Sequence, residues 1–139
     1  MTQPTDLLSR FNERLSLPLI AAPMFLVSGV ELVVAACRNG VIGSFPTVNC
    51  RSPEQLDQWL GEIEGRLQQH SEASGKRAAP VCANLIVHRS NARLAQDLQV
   101  LLRHRPEMVI TSVGSPLPVL GPLHDAGAPA NPVPARLKL

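Results

Sequence analysis

Short apolar runs alternate with amphipathic stretches along most of this chain. Leu17 to Met24 (LPLIAAPM) is an apolar run between prolines and predicts a strand buried on both faces. Ser28 and Glu31 follow at the S-x-x-E spacing of a capping box, in which hydroxyl and carboxylate satisfy free backbone N–H groups reciprocally. Val30, Val33, Val34 and Cys37 then repeat at helical spacing, and Gly40 supplies a left-handed stop. Val41 to Pro46 (VIGSFP) is the second apolar run. Ser52, Pro53 and Gln55 open a second helix, with Pro at its favoured first position and a stripe of Leu56, Trp59, Leu60, Ile63 and Leu67. The polar segment His70 to Arg77 (HSEASGKR) predicts a surface loop. Pro80 to His88 (PVCANLIVH) is the third strand. Leu94, Leu98, Leu101 and Leu102 mark a third helix ended by Pro106, and Met108 to Gly114 (MVITSVG) is the fourth strand.

Strands that alternate with helices imply βαβ units and a parallel sheet. Right-handed crossovers place the helices on one face of a growing barrel or on both faces of an open sheet, and periodicity does not choose between them. The end of the chain differs. Pro116, Pro118, Pro122, Pro129, Pro132 and Pro134 crowd the last stretch, and a fourth helix from near Leu117 towards Ala126 is opposed by Pro118 and Pro122. After Gly127 the run APANPVPARLKL contains no readable strand.

Composition narrows the function classes. A chain of 139 residues suggests one domain able to bury ~68–70% of its unfolded surface. A net charge of +2, 3% aromatic residues and no Tyr leave out the charge and stacking platforms of nucleic-acid binders. Pro18, Pro23, Gly29 and Glu31 interrupt the apolar stretch from Leu15 to Ala36, which argues against a membrane span, and Asp6 and Glu13 spoil a signal-peptide leader. Cys37, Cys50 and Cys82 form no CxxC pair, so each reads as a small buried hydrophobe in a reducing cytosol.

In parallel α/β folds, ligands meet the carboxyl ends of the strands. The candidates are Ala22, Pro23 and Met24, then Ser44 to Thr47, Asn84 to His88, and Thr111 to Gly114. An Asn inside an apolar strand needs partners for its amide, so Asn84 weighs evenly between a structural and a ligand-binding role. Met24 reads first as a core or rim filler, and His88 as a solvated loop residue. His70 and His104 read as ordinary surface residues, and His124 merits no catalytic role. The chain has no H-E-x-x-H, P-loop, G-x-G-x-x-G or G-x-S-x-G motif.

Four segments in order, LPLIAAPM (17–24), VIGSFP (41–46), NLIVHRSN (84–91) and ITS (110–112), resemble the nitronate monooxygenases, formerly 2-nitropropane dioxygenases. The resemblance covers roughly residues 10 to 127 and implies an α/β fold of parallel βαβ units, a truncated (β/α)8 TIM barrel of about four strands. It implies a cytoplasmic FMN enzyme that oxidises alkyl nitronates with O2 to carbonyl compounds and nitrite. Ala22, Pro23 and Met24 would then lie along the flavin ring and Asn84 would hydrogen-bond it, with Ser44 and Ser112 at the rim. The implied partners are the small nitronate and O2, with no nucleic acid, membrane or metal. FMN-linked enoyl reductases share the Met-bearing first strand, but VIGSFP and NLIVHRSN favour the nitronate branch.

A complete barrel of this type takes ~250 residues and grips phosphate through loops after strands 7 and 8. The family's catalytic His and later glycine-rich motif have no counterpart here. The expected organisation is therefore an N-terminal half barrel over residues 1–127 and an irregular tail over 128–139; members of the family continue past Gly127 with a regular strand, so the resemblance implies a frameshift or premature stop there. Truncation predicts impaired activity. The alternative is a non-catalytic fragment that self-associates through exposed sheet edges. A complete flavodoxin-like domain ranks last, because the tail offers no fifth strand.

Overall fold

The computed structural model describes residues 11–126. Four parallel strands are joined by helices: β1 (Ile20–Ala21), α1 (Val30–Arg38), β2 (Ile42–Pro46), a 3-10 turn (Thr47–Asn49), α2 (Pro53–Ser74), β3 (Val81–Ile86), α3 (Leu94–His104), β4 (Met108–Ser112) and α4 (Leu117–Asp125). The spatial order β1-β2-β3-β4 equals the chain order. Gly43 pairs with Val81, Phe45 with Ala83, and Ala83 with Val109.

That register sorts the side chains onto two faces, because neighbours along a strand point opposite ways. Phe45, Ala83 and Leu85 enter one core with Val33, Val34 and Cys37 of α1, Leu56, Leu60 and Ile63 of α2, Leu98 and Leu101 of α3, and Val119 and Leu123 of α4. All four helices thus cover one face, the arrangement of a TIM barrel, and the barrel is not closed within the described residues. The other face carries Ile42, Ser44, Cys82, Asn84, Ile110 and Ser112. At Gly43 the sheet meets α1 so closely that a Cβ would lie 2.5 Å from the Val33 carbonyl oxygen and 2.9 Å from Cys37 Sγ. Only glycine admits that approach.

Several local expectations need correction. β1 is two residues long, and Ile20 is 41% exposed rather than buried on both faces. The Ser28–Glu31 capping box does not form. Gly29 is the N-cap of α1 with no side-chain cap, Ser28 Oγ is engaged elsewhere, and Glu31 pairs with Arg66 of α2 at 2.6 and 2.9 Å. The His70–Arg77 segment is not all loop: α2 continues to Ser74 and stops at Gly75, whose φ of +69° is left-handed. Ser71 Oγ supports the extension by donating to the Leu67 carbonyl at 3.0 Å.

α4 forms despite its prolines. Pro118 sits in the first turn, where its missing N–H is no loss, and Pro122 is carried inside. Other expectations agree with the structure. Ser52 Oγ accepts from Gln55 N at 3.2 Å with Pro53 following, and Gly40 has φ +75°. Cys37, Cys50 and Cys82 are free and buried. Residues 128–139, the tail of the expected organisation, lie outside the described residues.

At the amino ends of the strands, Arg14 donates from Nη1 and Nη2 to Glu107 at 2.5 and 2.7 Å and from Nε to the Ala78 carbonyl at 2.8 Å. One guanidinium therefore gathers the segments that lead into β1, β3 and β4.

Candidate functional site

The carboxyl ends of the strands bring the sequence candidates to one end of the molecule. Ala22, Pro23 and Met24 follow β1 directly. Ser44 lies in β2, Asn84 in β3 and Ser112 at the end of β4. Ser112 Oγ donates to Asn84 Oδ1 at 3.0 Å, which fixes the carboxamide. The Asn84 amide nitrogen then has no acceptor among the described residues, and the half-buried side chain shares its face with Ser44, Ser112 and the apolar Ile42, Cys82 and Ile110. Ser44 is different: it is 1% exposed and its hydroxyl donates to the Ala21 carbonyl. It ties β1 to β2, so its bearing on any ligand is through the position of β1.

The loop after β1 is displayed and yet held. Phe25, Leu26 and Val27 are exposed at 64%, 79% and 63%, an unusual cost for three consecutive apolar side chains. Ser28 Oγ accepts from Met24 N at 2.9 Å and donates to the Ala22 carbonyl at 3.2 Å. Asn49, in the turn after β2, accepts from Leu26 N at 3.0 Å through Oδ1 and donates through Nδ2 to the carbonyls of Met24 (3.1 Å) and Ser28 (2.8 Å). Neither Ser28 nor Asn49 stands out in the sequence as a site residue. The partners of Asn49 lie more than twenty positions away, and no local spacing announces them.

Among the described residues, three that are not glycine have positive φ. Leu26 (+61°) and Val113 (+61°) lie in the loops after β1 and β4, and Arg105 (+50°) caps α3. A β-branched residue such as Val113 is costly there, and strain of this kind collects at ligand sites. His88 lies at the same end but is exposed, with Nδ1 accepting from Ser90 N at 3.2 Å and 2.7 Å from Ser90 Oγ. Asn91 organises the same loop, donating to the Ile86 carbonyl at 2.8 Å.

His104 is not an ordinary surface residue. It is half-buried between α3 and α2, with Nε2 2.8 Å from Asp57 Oδ1 and Nδ1 3.1 Å from Glu64 Oε1. A groove of about 270 Å³ opens beside it at the amino end of the sheet, lined by Leu60, Leu67, Val81, Pro106 and Glu107. Its polar rim is largely spent on these pairs and on Arg14–Glu107, which makes it a poorer ligand site than the strand ends. Burial pushes the thiols of Cys37, Cys50 and Cys82 up to about 11, 12 and 12, so none is a ready nucleophile. Among the described residues no three His, Cys, Asp or Glu side chains gather as metal ligands, and no helix is long and apolar enough to cross a membrane.

No protein-family model matches the chain, and no curated protein matches it. Solved structures do. FabK from Thermotoga maritima superposes with a TM-score of 0.67 at 17% identity, over 91% of this chain and 36% of that one. A nitroalkane oxidase from Streptomyces ansochromogenes gives 0.63 at 18% identity, over 86% of this chain and 40% of that one. The chain thus spans about two fifths of the length of the solved structures it matches. At these identities the likeness is one of fold, that of a parallel α/β barrel.

Proposed function

We propose that the described βα units form the ring-binding side of an FMN-dependent oxidoreductase that oxidises alkyl nitronates with O2 to carbonyl compounds and nitrite. The observation that carries the reading is Asn84, a half-buried residue whose carboxamide is oriented by Ser112 and whose two N–H groups have no protein acceptor among the described residues. A half-buried donor with no protein acceptor is open to an acceptor-rich ligand, and the polar edge of a flavin ring offers carbonyl oxygens and a ring nitrogen. The small side chains of Ala22 and Pro23 leave room for a flat ring beside β1, with Met24 as a polarisable neighbour. The residues present therefore fit the ring portion of FMN. The fold likeness to a protein named nitroalkane oxidase supports the choice of nitro-derived substrate.

FMN, when bound, supplies the electron transfer between substrate and O2. The chain's own residues do the rest. Asn84 would donate to the ring, Ser112 would hold the carboxamide in its donating orientation, and Ser44 would keep β1 and hence Ala22, Pro23 and Met24 in place. Phe25, Leu26 and Val27 would keep water from that edge. The expected setting is cytoplasmic, with no nucleic acid or membrane as partner.

One observation favours a second reading. β1 and β4 are outer strands without a further partner among the described residues, and Ile20 of β1 is 41% exposed. Open edges of this kind favour self-association without catalysis. The test is to express the full chain, desalt it, titrate it with FMN and assay nitrite release from a primary alkyl nitronate. Flavin held near one per chain together with nitrite release supports the flavin reading. A chain that takes up no FMN and sediments well above a single chain favours the second.

A further inference from the structure

Asn49 lies outside every segment that suggested a site, yet it makes three hydrogen bonds to the loop that follows β1. Those partners are one backbone N–H and two backbone carbonyls. A carboxamide has one oxygen to accept and one NH2 to donate twice, so its assignment is dictated by the backbone it meets. Turned over, it would set donor against donor and acceptor against acceptor. The same count excludes a carboxylate, which would accept from Leu26 N but face the Met24 and Ser28 carbonyls with no proton to give.

The bonds matter because of what they hold. Leu26 has φ +61°, a conformation that a leucine adopts at a cost, and its N–H is the group that Asn49 accepts from. Met24 is held at both ends: its N–H donates to Ser28 Oγ, and its carbonyl accepts from Asn49 Nδ2 as well as from Val27 N and Ser28 N. Without Asn49, the exposed apolar triplet Phe25, Leu26 and Val27 has weak reason to stay extended into water. The loop is thus set jointly by its own Ser28 and by a residue of the β2–α2 turn, and Asn49 supplies the side-chain bonds at Leu26 N and at the Met24 and Ser28 carbonyls.

We propose that Asn49 is the positioning residue of the candidate site: its carboxamide fixes the Met24 main chain and the left-handed turn at Leu26, and so sets the edge along which the flavin ring lies. The proposal rests on the flavin reading for its ligand, but the positioning itself is visible without one. Asn49 acts through Met24 and touches no reacting atom.

The test uses the full chain and two substitutions, Asn49→Ala and Asn49→Asp, followed by amide hydrogen exchange over residues 24–28 without flavin and by FMN titration. In the unsubstituted chain the amides of Met24, Leu26, Val27 and Ser28 are protected. Both substitutions raise exchange there by roughly tenfold, with Asn49→Asp at least as strong as Asn49→Ala despite its equal size. FMN affinity falls by roughly the same factor, while the exchange of β2 and β3 amides stays as it was. Those core amides separate loss of positioning from general unfolding.

Unchanged exchange over 24–28 in Asn49→Asp overturns the proposal whatever FMN does. A loosened loop with unchanged FMN affinity overturns it too. Absence of FMN binding in the unsubstituted chain is the distinct failure of the flavin reading, and it removes the ligand on which this role depends.

Discussion

Arg14 and Glu107 lie 93 positions apart and join through two parallel N–H···O bonds of 2.5 and 2.7 Å. The first precedes β1 and the second precedes β4, so the pair links the two outermost strands of the sheet. A flat sheet would hold those strands three spacings apart, each of ~4.8 Å. The long Arg14 side chain and the curl of the sheet together close that distance at the amino end. Arg14 is 12% exposed, which makes an unpaired guanidinium there expensive.

The first expected outcome follows from that geometry. Glu107→Ala strands the guanidinium and lowers unfolding stability by roughly 1–3 kcal/mol, visible as a lower urea midpoint with little change in slope. Arg14→Ala also loses the bond to the Ala78 carbonyl and costs at least as much. Midpoints equal to the unsubstituted chain would show that the pair is idle.

Gly43→Ala places a methyl group against the Val33 carbonyl and Cys37 Sγ. Helix α1 must back away from the sheet, at roughly 1–3 kcal/mol. Thermal unfolding measures this directly. Gly65→Ala, at a position where an added Cβ meets nothing within 4 Å, is the control and is neutral or slightly stabilising.

The contact between α2 and α3 is expected to weaken in acid. The hydrogen bond from His104, helped by Arg103, holds the Asp57 carboxyl below the usual carboxylate range. A folded-state value below the unfolded one means that stability is present above the unfolded value of about 3.9 and is lost as pH falls through the lowered one. Denaturant midpoints taken between pH 6 and pH 2.5 should therefore fall on acidification. Asp57→Asn should flatten the Asp57 share of that fall, and an unchanged profile would remove this pair from the acid limb.

Asn84→Ala removes the unspent donor, and Ser112→Ala removes the group that orients it. FMN binding should weaken about tenfold in the first case, which is ~1.4 kcal/mol, and by less in the second. Fluorescence titration reads both. Equal FMN affinity in Asn84→Ala and the parent would sink the role given to this carboxamide.

The three thiols should be silent towards an alkylating reagent in the folded chain and react together on unfolding. Burial raises each one, to about 11 for Cys37 and about 12 for Cys50 and Cys82, so little thiolate exists at neutral pH. A cysteine that is modified rapidly under native conditions would contradict this burial.

The order of strands and helices is legible in the sequence because each apolar run or stripe maps to one element. The choice of one covered sheet face over two is not, since it depends on which way the crossovers pack. The α1 cap is misjudged because the Ser28 hydroxyl has better partners, Met24 N and the Ala22 carbonyl, than the helix it precedes. The end of α2 is misjudged because polarity alone marks His70–Ser74 as loop, whereas Ser71 and the left-handed Gly75 make it a helical end. The placement of Ala22, Asn84 and Ser112 at one end follows from strand polarity and was readable. Asn49 was not, because a side chain that serves a distant backbone leaves no periodic trace.

Strand order identical to chain order also bears on how the molecule comes to be. Each strand pairs with the one made just before it, so during synthesis every new βα unit meets a partner already waiting beside the growing chain. Among the described residues, no strand has to be inserted between two others that have already met. The Arg14–Glu107 bond is an exception to this nearest-neighbour growth, because its two halves are separated by three complete units. It can close only once the segment leading into β4 has been made, and it acts as a latch across the four described strands.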